Sequence, residues 1–396
     1  MQKLWAYGQQ PAMYVILVCA IGSLFVLASI SGAGSDNSQT TSVKGSAPSI
    51  AATPDRSKFM GARACLDCHR SEYVAWLGTE HYKNPINRYE ISEVSVAKKY
   101  LDQGGKLNRC YSCHSAPAEQ NFGRVAVESG TSCESCHGAA GGNSGWLNRH
   151  AVYGPNVTTL KQETPEHYRQ RIAFCDQAGM IRPGHQYEVA KNCFRCHMIG
   201  DPTLVSDEVG HPVIHEKFSL IPYLNSEVQH NFHLNQKANA EAPTLDTLRR
   251  GLSSLERKRV YLVLGQLAKI EVALRYLVDF PSDEALEERY AGKLIDAFEE
   301  GADEIDYYTE LLLEPDDDDV PALEEEQIES LLTVIELFED FDDLDKQTRD
   351  AARETANQIA KIAEEFLKTF GDGKQLAALD VVLEELDDPP SQPLKP

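Results

Sequence analysis

Cys65-Leu-Asp-Cys68-His69, Cys110-Tyr-Ser-Cys113-His114, Cys133-Glu-Ser-Cys136-His137 and Cys193-Phe-Arg-Cys196-His197 repeat one pattern four times. Each is C-x-x-C-H. Two thiols three positions apart reach the two vinyl groups of one porphyrin, and the next residue turns its imidazole onto the iron. Ten Cys and twelve His scattered at random would give this pattern only about 0.01 times in such a chain. Four copies therefore imply four covalently bound haem c groups. The eight motif Cys attach them, and His69, His114, His137 and His197 ligate the irons. Zinc is the competing reading of paired C-x-x-C units, but a zinc ribbon has no reason to place His directly after the second Cys in every copy. Disulfides compete less well, since the motifs leave only Cys19 and Cys175 over.

Charge divides the 396-residue chain unevenly. Residues 1–240 hold 22 Lys+Arg and 20 Asp+Glu, whereas residues 241–396 hold 16 and 41. The acidity behind the net charge of -23 thus lies in the C-terminal part. That part repels nucleic-acid phosphates and anionic lipid and attracts cations or a basic protein, and nucleic acid is excluded as a partner.

The N-terminus carries Lys3 and then no charge from Ala12 to Ile30. Nineteen helical residues rise about 28 Å, close to the thickness of a bilayer's hydrocarbon core. No A-x-A site follows, so residues 1–30 read as an uncleaved transmembrane anchor in preference to a cleaved signal. Lys3 before the span, with no Lys or Arg after it until Lys44, keeps the N-terminus inside and exports the rest. The expected location is the periplasmic face of a bacterial inner membrane, with a soluble periplasmic form as the alternative. Residues 31–58, rich in Ser, Gly, Ala and Thr, read as a flexible linker.

Residues 59–240 form a tetrahaem domain in this reading. Four porphyrins supply much of its apolar core, so short helices, one carrying or following each motif, alternate with loops, and strands are few. Residues 241–388 follow as an acidic, all-α antiparallel bundle, and 389–396 as a frayed tail, which makes the whole mainly α. In the bundle, Leu264, Leu267, Ile270, Leu274 and Leu277 recur at steps of three and four and define one face of a long helix. Pro281-Ser282 ends it. A second helix runs from about Asp283 to Leu313 with a break near Gly301, a third from Ala322 to Phe341, and a fourth ends at Gly371. A short last helix spans about Lys374 to Leu386. Asp316 to Asp319 lack the Gly and terminal Glu of a calcium loop and read as solvated acid.

The haem region resembles the cytochrome c-554 family of tetrahaem electron carriers. Trp76 and His81 in CHRSEYVAWLGTEHY are similar to that family's W-x-x-S-x-H, with Gly78-Thr79 departing from it. GTSCESCHG followed by His150, CFRCHMIGDPTLVSDEVGHP with His211, and EVQHNF from Glu227 to Phe232 are similar to further family segments. The resemblance implies bis-histidine irons with His81, His150 and His211 as distal ligands, and one five-coordinate iron, on the second motif. His230 is a further candidate ligand that would close the fourth iron, and His185 a weaker one. His167, His215 and His233 read as structural, Met180 and Met198 as packing, Trp76 as core, and Cys19 and Cys175 as buried thiols.

Two functions follow. One is an electron carrier between redox proteins, with a hydroxylamine-oxidoreductase-like enzyme of nitrogen-compound metabolism as the partner class that the resemblance implies. The other is a reductase of a small nitrogen or sulfur oxide at an open iron. A haem-based sensor lacks any signalling motif. The acidic bundle reads either as a docking surface for a basic partner or as a solubilising appendage.

Overall fold

A computed structural model describes residues 58–83, 91–114, 118–119, 125–126, 130–158, 162–214, 218–226, 254–279, 284–339 and 346–387. The anchor, the linker, His215, His230, His233 and the C-terminal tail lie outside these residues. No helix among the described residues is long and apolar enough to cross a membrane.

The described chain is mainly α. In its first part, short helices alternate with loops: α1 Arg70–Trp76, α2 Glu80–Lys83, α3 Ser95–Asp102, α4 Leu107–His114, α5 Cys133–His137, α6 Leu147–His150, α7 Pro165–Gln177, α8 Gln186–His197, α9 Pro202–Val205 and α10 Leu220–Ser226. Strand pairing is confined, among the described residues, to Ala118–Glu119 against Val125–Ala126 and a bridge between Met198 and Ile214. Local chemistry places the helix starts. Thr164 caps α7 by accepting from the His167 amide, Pro165 takes its first position, and Asp201 caps α9 through the Thr203 and Leu204 amides.

The second part holds α11 Ser254–Asp279, α12 Glu284–Leu313, α13 Glu325–Glu339, α14 Lys346–Phe370 and, after a 3-10 stretch at Lys374–Leu379, α15 Asp380–Asp387. Helix α12 runs unbroken through Gly301, contrary to the expected break. A Cβ there would sit 2.7 Å from Ile270 Cγ1, so this glycine marks the close crossing of α12 on α11. The last helix likewise begins as 3-10 and turns α only at Asp380.

Helix α11 is the centre of the molecule. Val260, Tyr261, Leu262, Val263 and Leu264 are consecutive and all buried, so it is covered all round and not on one face alone. Helices α12 and α14 cover one part of it, and α8, which carries the fourth C-x-x-C-H, covers another. A single apolar core therefore joins Tyr187, Ala190, Phe194 and Met198 of the haem-motif region to Leu264, Leu267, Phe298 and Phe366 of the bundle.

Candidate functional site

The four motifs sit on helical turns. The first follows a 3-10 turn at Ala62–Cys65 and runs into α1, while the second, third and fourth end helices α4, α5 and α8. In the helical motifs this puts the two Cys of each pair on one face, one turn apart. None of the nine described Cys is in a disulfide. Among the described residues no group of three or more His, Cys, Asp or Glu could hold a metal ion, which leaves zinc without a four-donor site there.

The motifs are adjacent in the spatial order first, third, fourth, second. The Cys65 side chain lies beside that of Cys133, and that of Cys113 beside Cys196, close enough for each thiol to perturb the other. Asn192 of α8 donates to the Ser135 and Cys136 carbonyls at 2.9 and 3.2 Å, tying the fourth motif to the third. Glu134, inside the third motif and buried, accepts from the amides of Met60, Gly61 and Ala140 at 2.7–3.0 Å. Its carboxylate thereby pins the chain that leads into the first motif. Thr131 links three elements: its carbonyl accepts from Trp76 Nε1 at 2.8 Å, and its hydroxyl donates to the Cys113 carbonyl at 2.7 Å. Asp201 accepts from Tyr100 Oη and from Arg109 Nε of α4, holding the second motif to the segment after the fourth.

Each of the three distal candidates faces a motif histidine. His69 and His150 have ring centroids 5.9 Å apart, His81 and His197 6.2 Å, and His114 and His211 6.4 Å. An imidazole bound through a ring nitrogen at about 2 Å has its centroid about 3.1 Å from the metal, so two imidazoles on opposite faces of one metal lie about 6.3 Å apart. All three spacings fit a metal held between the rings.

The rings are also oriented for ligation. Nδ1 of His137 lies 2.8 Å from the Ile181 carbonyl and Nδ1 of His211 lies 2.8 Å from the Pro212 carbonyl. Such a bond leaves Nε2 as the lone-pair nitrogen. Burial, reinforced by His211, pushes His114 down to about 4. Burial also lowers His137, so both are neutral imidazoles at neutral pH, the form that binds iron. Phe218 stacks on His197 at 4.0 Å and fixes its plane. His150 is held through its backbone: Arg171 Nη1 donates to its carbonyl at 2.7 Å, and the same guanidinium makes two bonds to the buried Glu163.

One expectation changes here. The resemblance puts the open iron on the second motif, whereas His114 of that motif faces His211. His185 is not aimed at a motif histidine: its Nε2 lies 3.0 Å from Arg182 Nη2 and 3.6 Å from Asp176. His167 pairs with Glu163 at 2.6 Å, Met198 is fully buried, and Cys175 is a buried thiol 3.7 Å from the Trp146 carbonyl. Trp76 is buried as well.

Residues 64–138, which span the first three motifs, match the family model of cytochrome c554 and c-prime. The match covers about a fifth of the chain, and over that stretch the chain is similar to c-type cytochromes. That family match suggests electron transfer through covalently bound haem c, and the motif Cys and facing histidines are the donor set that this group needs. No curated protein and no solved structure matches the chain. The sequence reading missed Glu134, Arg171 with Glu163, and Asp201. Glu134 stands between two Cys whose pattern specifies only Cys and His, and nothing local marks the others.

Proposed function

We propose that this cytochrome is a tetrahaem electron carrier held at the periplasmic face of a bacterial inner membrane by residues 12–30. The observation that carries the reading is the set of three histidine pairs at 5.9–6.4 Å, each joining a C-x-x-C-H histidine to one of His81, His150 and His211. Cys65 and Cys68, Cys110 and Cys113, Cys133 and Cys136, and Cys193 and Cys196 would hold the four groups. A bis-histidine haem c keeps both ligands in either oxidation state and so passes one electron with little rearrangement.

The protein's part is to fix the ligands and the order of the sites. Glu134, Thr131, Asn192 and Asp201 set neighbouring motifs against one another, and the order first, third, fourth, second is the path they support. The partner class is a redox enzyme acting on small nitrogen compounds, as the resemblance implies. His211, which faces the second motif, speaks against an open iron there, so the reductase reading would have to rest on the third motif, whose His137 is in none of the three described histidine pairs.

Haem quantitation by pyridine haemochrome, together with low-temperature EPR of the oxidised protein, tests this. Four haems per chain with at least three low-spin signals are expected. A smaller haem count, or high-spin iron at two or more sites, would overturn the reading.

A further inference from the structure

The bundle reaches into the fourth motif at two points. At the start of α8, Tyr187 Oη donates to Glu271 Oε2 of α11 at 2.6 Å, and Lys191 Nζ lies 3.5 Å from the same oxygen. Glu271 is 1 % exposed. Its other oxygen accepts from Arg275 Nε at 2.6 Å, and Arg275 in turn donates to Asn357 of α14. At the end of α8, Tyr276 Oη donates to the Arg195 carbonyl, inside Cys193-Phe-Arg-Cys196, at 3.3 Å, and the Tyr276 ring packs over Gly200. Tyr290 of α12 donates to the Ile199 carbonyl at 2.7 Å.

A buried carboxylate with cationic partners costs several kcal/mol to desolvate. An apolar contact of the same size would hold α8 equally well, so Glu271 is not needed for packing alone. A fixed negative charge beside a redox group, in a medium of low dielectric, has a further consequence: it favours the more positive, oxidised state.

We propose that Glu271 and Tyr276 of the bundle are positioning residues for the fourth motif, and that they set the reduction potential of the haem carried by Cys193 and Cys196. This rests on the haem reading given above. The bundle is then part of the redox site. Removing the negative charge of Glu271 disfavours the oxidised state; Lys191 keeps Glu188 as a partner at 2.7 Å, while the Arg275 charge, left without Glu271, acts in the same direction.

Spectroelectrochemical titration and EPR of the full-length haem-loaded protein and its Glu271→Gln, Tyr276→Phe and Glu300→Gln variants test this, with haem content measured alongside. Glu300 pairs with Lys269 at 2.6 Å on the exposed side of the bundle, so its variant loses the same charge away from α8. The expected result is an upward shift of one reduction step in Glu271→Gln, with the other steps unmoved. Tyr276→Phe changes the EPR signal of one low-spin haem, and Glu300→Gln matches wild type. Wild-type potentials and spectra in both contact variants, or an equal shift in Glu300→Gln, overturn the proposal. If Glu271→Gln loses haem, Tyr276→Phe decides alone, and a wild-type spectrum from it is refutation. A wild-type chain without four haems overturns the functional reading instead.

Discussion

Replacing Glu134 tests whether one buried carboxylate sets the first motif against the third. Its two oxygens accept from the amides of Met60, Gly61 and Ala140 at 2.7–3.0 Å, and the residue is 2 % exposed. Hydrogen bonds to a charged partner contribute about 1.5–3 kcal/mol each, and a buried amide left unpaired costs about 1–3 kcal/mol. Glutamine keeps one acceptor oxygen but turns an NH2 donor toward the Gly61 or Ala140 amide. Glu134→Gln is thus expected to cost about 2–4 kcal/mol and Glu134→Ala about 4–6 kcal/mol. For a domain of this size the Gln variant should melt about 4–16 °C lower, at about 2–4 °C per kcal/mol. Thermal unfolding of the oxidised, haem-loaded protein followed by far-UV circular dichroism is the assay. On the proposed four-haem reading, EPR should find the signals of the first and third haems altered before those of the second and fourth. A Gln variant within about 0.5 kcal/mol of wild type, the range of an ordinary surface change, would refute the reasoning.

Gly138, which follows His137, has φ 84°, and a Cβ there would lie 2.3 Å from the Gly179 carbonyl oxygen. Gly138→Ala should destabilise by about 2 kcal/mol or more and disturb the third-haem spectrum, whereas Gly104→Ala, with nothing within 4 Å, should cost only its φ strain, about 1 kcal/mol. The Arg171 guanidinium lowers the Glu163 carboxyl below its ordinary 4.5. A depressed carboxylate stabilises above its unfolded value and loses that contribution as pH falls through the folded one. The melting temperatures of wild type and Glu163→Gln should therefore differ at pH 7 and converge on acidification below about 4.5; a gap independent of pH sinks the assignment. No Lys or Arg occurs from Leu294 to Asp345, and Asp316 to Asp319 are exposed. Electron exchange with a basic redox protein should slow as salt shortens the Debye length from about 30 to 8 Å, and less so after Asp316–Asp319 are replaced by Asn; stopped-flow rates indifferent to both would exclude docking there.

What the sequence disclosed follows from how local each feature is. Cys65 to His69 and its three counterparts are legible because thioether chemistry fixes two Cys and a His within five positions. The helices near 254–313 are legible because packing against a core imposes a period on the chain. His81, His150 and His211 could be named from a resemblance, but the pairing of His150 with His69 across 81 residues depends on tertiary placement alone. Glu134, Arg171 and Glu271 are ordinary surface residue types, and only distant partners, the donors at Met60 and Tyr187 and the accepting carbonyl of His150, make them buried hubs. The all-round burial of α11 did leave a trace, since Val260 to Leu264 is apolar without a gap. That trace was overridden by the periodic leucines within the same helix.

The abrupt change in composition near Pro243 invites the idea of a detachable acidic appendage, but composition and packing describe different surfaces. The acidity lies on faces of α12 and α13 that meet water, whereas α11 meets α8 through apolar side chains. Deleting residues 241–396 would uncover Tyr187, Ala190, Phe194 and Met198, each no more than 6 % exposed. Burial of a large apolar side chain contributes about 1.5–3 kcal/mol, so the three large ones alone approach the 5–15 kcal/mol that holds a typical domain together. A truncated chain that lost electron transfer would therefore report the loss of the fourth site and not the loss of a docking face. Only changes confined to exposed acids such as Asp316 to Asp319 separate the bundle's outer surface from its inner one. If those changes leave partner rates intact while Glu271→Gln moves a haem potential, the bundle acts inward, on the haem, and its acidity serves solubility.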